Sequence, residues 1–195
     1  MVLVLFSGGI DSATLAQRYS RSSDLGGLLF FDYDQPAAKQ EREAATKFAE
    51  GYRVPLFVIK QRLHGVDQAM GTGGGEPGPR ILPGRNLWMI ASALNLAACE
   101  GFDLVVYGAT AADTEYPDCS PAFVRALDQL AQNDVGISVA APLIDMTKAD
   151  VVREAMESGV DLRFTWSCYE PIDGKQCGRC NSCKEVARAM GPLIP

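Results

Sequence analysis

A chain of 195 residues has the size of one domain with room for a small appendage. Its 47% hydrophobic and 22% charged residues fit a folded globular protein and exclude the low-hydrophobicity, high-charge composition of a disordered chain. A net charge of −6 excludes a broad electrostatic grip on nucleic-acid phosphates, and no apolar run reaches the roughly 18–20 residues that cross a bilayer. Val2–Phe6 is too short for a signal-peptide core, so a cytoplasmic protein is expected.

Val2–Phe6 is a continuous apolar run ending in Ser-Gly-Gly, the pattern of a buried strand meeting a turn. A helix should follow, capped by Asp11 and Ser12, with Ala13, Leu15 and Ala16 opening its apolar side. Gly27–Asp32 and Val54–Ile59 read as strands flanking a charged helical stretch around Lys39–Glu50. Leu63–Pro83 is loop-like, and its Gly71–Gly75 stretch followed by Pro77 and Pro79 reads as a flap or a solvated loop. Leu87–Glu100 has helical spacing, Leu104–Gly108 is strand-like, Pro121–Ala131 is helical and Val135–Ala141 supplies a fifth strand. Thr147 can cap a last helix running to about Ser158. The alternation predicts an α/β, Rossmann-like fold: a five-stranded parallel sheet with helices on both faces and ligands at the carboxyl ends of the strands. Residues 1–163 form that domain and 164–195 a C-terminal metal-binding segment.

Ser7-Gly8-Gly9-Ile10-Asp11-Ser12 joins the first strand to the first helix, so its glycines let the backbone approach an anion at a helix N-terminus. Phosphate is the natural ligand. The loop lacks the Gly-Lys-Ser/Thr ending of a Walker loop and the Gly-x-Gly-x-x-Gly of a dinucleotide fingerprint. The bland alternative is a glycine turn with an Asp/Ser cap.

Of the six cysteines, Cys168, Cys177, Cys180 and Cys183 crowd into one short stretch with a spacing that can fold four thiolates around one ion. Zinc is the default, and four thiolates close its coordination sphere, which makes the metal structural. An iron–sulfur cluster is the rival ligand. Cys99, in an Ala/Leu-rich stretch, reads as a buried small hydrophobe, and His64, the only histidine, as a surface or structural residue.

Ser7–Ser12 resembles the pyrophosphate loop of the N-type ATP pyrophosphatases, which transfer AMP to a carboxyl or carbonyl oxygen. Together with Phe31-Asp32-Tyr33, Pro83-Gly84-Arg85-Asn86, Tyr107-Gly108-Ala109, Asp113 through Tyr116-Pro117-Asp118-Cys119, Met146-Thr147-Lys148 and Thr165-Trp166-Ser167-Cys168-Tyr169, it makes the chain similar to the 7-cyano-7-deazaguanine synthase (QueC) family over nearly its whole length. The resemblance implies an ATP-dependent C–N ligase that converts 7-carboxy-7-deazaguanine and ammonia into the nitrile by way of an amide, as a homodimer with no direct nucleic-acid partner.

It further implies that Asp11 helps hold Mg2+ while Ser7, Gly8, Gly9, Ile10, Ser12 and Gly108 contact the nucleotide. Lys148 and Arg85 would neutralise developing charge, and Arg85, Asn86, Asp113, Tyr116 and Asp118 would meet the deazapurine. Lys148 could instead be a solvated helix-start residue, Arg85 and Asn86 mere caps, and Asp113–Asp118 a packed loop. Where the family continues Asp-Tyr-Gly-Gln-Arg-His, this chain reads Asp32-Tyr33-Asp34-Gln35-Pro36-Ala37, so the basic pair is missing. An enzyme that stops at the amide, a tRNA-thiolating enzyme using Cys119, and a non-enzymatic zinc module that binds a nucleotide or protein are the competing readings.

Overall fold

The computed structural model describes residues 1–70, 82–113 and 116–191. Five strands, β1 (Val2–Leu5), β2 (Leu25–Asp32), β3 (Leu56–Lys60), β4 (Leu104–Val106) and β5 (Ser138–Ala140), form one sheet in the order β3-β2-β1-β4-β5. Every pairing is parallel. The helices are α1 (Ile10–Arg21), α2 (Ala38–Tyr52), α3 (Val66–Met70), α4 (Arg85–Glu100), α5 (Pro121–Val135), α6 (Lys148–Ser158) and α7 (Asn181–Met190). A parallel sheet must bury both faces, and the alternation of side chains along β1 does this directly. Val2, Val4 and Phe6 enter a core built with Ala13, Leu15 and Ala16 of α1, Phe48 of α2 and Val151, Val152 and Ala155 of α6. Leu3 enters the opposite core with Phe31, Ala69 of α3, and Ala93 and Ala97 of α4. Each such aliphatic or aromatic side chain contributes about 1.5–3 kcal/mol by burial.

The strand and helix assignments hold, with boundaries moved for local reasons. The helix after Pro121 continues four residues beyond Ala131 because Gly136, at φ 71°, provides the left-handed stop; the fifth strand therefore starts at Ser138 rather than Val135. Leu63–Pro83 is not all loop, since α3 lies within it; Gly71–Gly75 falls outside the described residues. The cysteine tail ends in a helix, α7, whose Ala189, with Val186 and Met190 against it, joins the α1/α6 core. Cys99 is exposed, not buried. On α4 the buried line is Ile90, Ala93 and Ala97, and Cys99 lies two residues past Ala97, about 200° round the helix. His64 is exposed, the first of the two outcomes expected for it.

No helix among the described residues is long and apolar enough to cross a membrane.

Candidate active site

The strand order reverses between β1 and β4, which places a crevice at their carboxyl ends. The loop after β1 forms one wall. Gly8 sits at φ +83°, and a Cβ there would stand 2.9 Å from both Ala44 Cβ and the Glu41 carbonyl oxygen, so only glycine fits. Gly9 is the N-cap of α1 and supplies no side-chain cap. The Asp11 and Ser12 side chains do not cap it either: the Ser12 hydroxyl donates to the Gly9 carbonyl at 3.0 Å and lies 3.4 Å from Ser7 Oγ. Asp11 turns away to Lys148, whose Nζ donates to both carboxylate oxygens at 2.8 and 2.7 Å. The first amides of α1 are thus left to an external acceptor, the arrangement that binds an anion. Desolvation raises the Asp11 carboxyl above its ordinary range, against the pull of the Lys148 ammonium.

Lys148 is the first residue of α6, fixed there by a capping box: Thr147 Oγ1 accepts from the Asp150 amide at 3.2 Å, and Asp150 Oδ2 accepts from the Thr147 amide at 3.2 Å. Gly108 forms the floor, since a Cβ on it would lie 3.1 Å from Asp11 Cβ and 3.5 Å from the Ser12 amide. Ser7, Gly8, Gly9, Ile10, Asp11, Ser12, Gly108 and Lys148 therefore converge.

The other wall comes from α4 and the loop after β4. Gly84, at φ 72°, starts α4 and turns Arg85 inward, where its guanidinium hydrogen-bonds Tyr33 and faces Tyr169 and Asp118. Asn86 donates through Nδ2 to the Asp118 carbonyl at 3.5 Å and to Cys119 Sγ at 3.3 Å, while its amide donates to Asp118 Oδ2 at 3.3 Å. Asp113 Oδ2 accepts from both the amide and the hydroxyl of Thr110 at 2.8 Å, so this carboxylate holds its own loop. Tyr116 packs against the cluster containing Tyr107 and Cys119. Burial pushes the Cys119 thiol up to about 12, with Asp113 and Asp118 adding to the rise.

Three participants carry no role in the sequence reading. Tyr33 and Tyr169 face Arg85, and their signal was their place in the segments that carry the resemblance. Glu41 stands against Gly8 from α2, and nothing in its charged surroundings in the sequence separates it from a solvated helix face. Gln17, on the far flank, is occupied by Tyr52 and the Ser158 carbonyl. A shallow hollow between α1 and α6 is lined by Arg18 and Glu154, which satisfy one another at 2.8–2.9 Å.

The four tail cysteines come together. Their Sγ atoms all lie within 4.8 Å of one another, with three of the residues buried. Cys177 and Cys180 amides donate to Cys168 and Cys177 Sγ at 3.2 and 3.3 Å, the pattern that supports thiolate charge. Four sulfurs at these separations fit a single tetrahedral ion with Zn–S near 2.3 Å. The tail also touches the loop after β1, because the Trp166 amide donates to the Gly8 carbonyl at 2.7 Å.

Residues 1–192 match the family described as "Queuosine biosynthesis protein QueC". The chain belongs to the QueC family. A relative from Brucella ovis named 7-cyano-7-deazaguanine synthase is 34% identical over 205 residues, covering 96% of this chain and 88% of the relative. A protein of the same name from Saccharolobus solfataricus is 32% identical over 201 residues, 93% of this chain but 43% of that longer protein. Among solved structures, the U34-tRNA thiolase NcsA from Methanococcus maripaludis with its [4Fe-4S] cluster superposes with a TM-score of 0.58 at 15% identity, over 98% of this chain and 65% of that one. NMN synthetase from Francisella tularensis gives 0.58 at 13% identity, over 98% of this chain and 84% of that one. These two likenesses establish the fold that the QueC family shares with such enzymes.

Proposed function

We propose that this chain is an ATP-dependent C–N ligase that converts 7-carboxy-7-deazaguanine and ammonia into 7-cyano-7-deazaguanine. The observation that carries the reading is the meeting, at one crevice, of the uncapped α1 N-terminus with the Asp11–Lys148 pair, in a chain whose relatives are named 7-cyano-7-deazaguanine synthase. A carboxylate oxygen is a poor leaving group. Its attack on the α-phosphorus of ATP expels pyrophosphate and converts it to a good one. Ammonia then adds to the acyl carbon, and the C–O bond to AMP breaks. In a second round the amide oxygen takes AMP and departs with it, two N–H protons are lost, and the nitrile forms.

In this reading Ser7, Ser12 and the amides of Gly8, Gly9 and Ile10 hold phosphate oxygens, with Gly108 allowing close approach. The carboxylate oxygens of Asp11 are the hard donors that magnesium prefers, and the ion would neutralise charge on the departing pyrophosphate. Lys148 and Arg85 supply fixed positive charge. Asn86, Asp113, Tyr116 and Asp118 would shape the acceptor side, the carboxylates accepting from ring N–H groups. Zinc on Cys168, Cys177, Cys180 and Cys183 would be structural.

Purified protein supplied with 7-carboxy-7-deazaguanine, ATP, magnesium and ammonium is expected to yield the nitrile by mass spectrometry, and Asp11→Ala to abolish pyrophosphate release without changing the zinc content. Accumulation of amide alone under excess ATP would overturn the nitrile step. That second reading, an amide-forming enzyme, is favoured by one observation: Pro36 and buried Ala37 stand where the resemblance leads one to expect Arg-His. A thiolating enzyme is disfavoured by the buried Cys119, whose thiol is driven away from the reactive thiolate. A binding module without turnover would release no pyrophosphate at all.

A further inference from the structure

We infer that Glu41 is the base that takes a proton from ammonium in the amidation step, an inference that rests on the carboxylate-amidation reading above. At neutral pH ammonia exists almost entirely as its cation, which has no lone pair with which to attack an acyl carbon. An enzyme that uses free ammonia near neutrality needs a group beside the acyl site that draws the cation in and deprotonates it. The Glu41 carboxyl feels the field of Arg85, which lines the opposite wall of the crevice. Glu41 lies in the first turn of α2, and its carbonyl oxygen is within 2.9 Å of where a Cβ on Gly8 would stand, so this turn abuts the phosphate loop.

Its carboxylate is aimed, not neutralised. Gln35 Nε2 donates to Glu41 Oε2 at 2.7 Å and to the Phe31 carbonyl at 3.0 Å, while Gln35 Oε1 accepts from the Tyr33 amide at 2.8 Å. Gln35 is itself buried. The groups that face Glu41 are Asp32 and Tyr33 from the end of β2, Gln35 from the β2–α2 turn and Arg85 from α4. Among the described residues no basic group forms an ion pair with it. Burial raises the carboxyl to about 7, the Gln35 hydrogen bond and Arg85 oppose that rise, and Asp32 adds to it. A carboxylate poised near the working pH is what general-base catalysis favours. The Glu41 amide donates to the Ala37 carbonyl at 2.9 Å, so Glu41 lies one turn beyond position 37, where this chain lacks an ionisable group.

The step balances without a further reagent. Glu41 carboxylate takes one proton from NH4+; the freed NH3 adds to the acyl carbon; the C–O bond breaks and AMP leaves with its electron pair. The surplus proton on the new amide nitrogen passes to water, and Glu41 returns its own proton to solvent before the next turnover.

Hydroxylamine supplies the test, because it is largely neutral at pH 7 and attacks the same acyl adenylate without prior deprotonation. In E41Q, which retains an acceptor for Gln35, amide formation from ammonium at pH 7 is expected to fall about 100-fold or more. With hydroxylamine, hydroxamate formation and the pyrophosphate release that accompanies it should stay within a few-fold of the unaltered protein. At fixed ammonium ion, amide formation should also rise with pH and level off above about 7, whereas in E41Q it should keep rising with the free ammonia beyond that point. Equal losses with both nucleophiles, or no loss with ammonium, would overturn the role of Glu41 while leaving the amidation reading intact. Failure of the unaltered protein to release pyrophosphate or to form either product would overturn the amidation reading and this inference with it.

Discussion

Single atoms set the tolerances of the crevice. Gly108 has ordinary backbone angles but no room: its missing Cβ would press on Asp11 Cβ at 3.1 Å. Gly108→Ala is therefore expected to shift the Asp11 carboxylate off Lys148 and cut pyrophosphate release at least about tenfold, while costing about 1–3 kcal/mol of stability, as overpacking usually does. Pyrophosphate release and urea denaturation, measured on one preparation, check both. Glu41 also leaves a thermodynamic trace. Its carboxyl is raised from 4.5 to about 7 by burial, so between those values the folded chain keeps a proton that the unfolded chain has released. Its stabilisation is complete below about pH 4.5 and declines as pH rises to about 7, by up to about 3 kcal/mol. Urea midpoints across that range should fall with pH for the unaltered chain, and E41Q should lack that component.

At the scale of elements, the site is a set of helix starts. The first turns of α1, α2, α4 and α6 bring in Asp11, Glu41, Arg85 and Lys148 respectively. α1, α2 and α6 each begin just after a strand or its following loop has emerged from the sheet, and α4 follows α3, so residues distant in sequence meet at the same edge. Lys148 depends on its cap, because Thr147 and Asp150 fix the first turn of α6 from both sides. Thr147→Ala should cost about 1 kcal/mol of stability, the usual loss for an N-cap. It should also weaken adenylation more than that loss alone explains, since Lys148 then holds Asp11 from a frayed turn. Ser120 caps α5 in the same way, its Oγ accepting from the Phe123 amide at 3.2 Å, and thermal melting and the KM for ATP compared with those of a Ser120→Ala variant separate the two effects.

For the molecule as a whole, the cysteine tail is joined to the loop after β1. The Trp166 amide holds the Gly8 carbonyl, Cys168 follows two residues later, and α7 seats Ala189 in the α1/α6 core. Metal binding at the four thiols would therefore couple to folding and to loop geometry. Cys180→Ser is expected to lose the metal and several kcal/mol of stability. Elemental analysis and melting under a chelator check this, and they also separate zinc from an iron–sulfur cluster.

The sequence alone determined the order and type of the main elements, the glycine turn between β1 and α1 and the cysteine quartet, because each is written locally: an apolar run before Ser-Gly-Gly, cysteines three apart, a Thr with Asp three residues on. Motif order also carried the resemblance. Other features were decided by tertiary structure. Whether Asp11 capped α1 or met Lys148 depends on residues 137 positions apart. The contacts of Asn86 with the Asp118 carbonyl and Cys119 Sγ depend on how α4 docks. Cys99 looked buried because its neighbours are apolar, yet helix rotation exposes it. Glu41 looked solvated because its neighbours are charged, yet the β2–α2 turn folds Gln35 over it. Burial and charge pairing arise from contacts across the sheet edge, and no local pattern encodes those contacts.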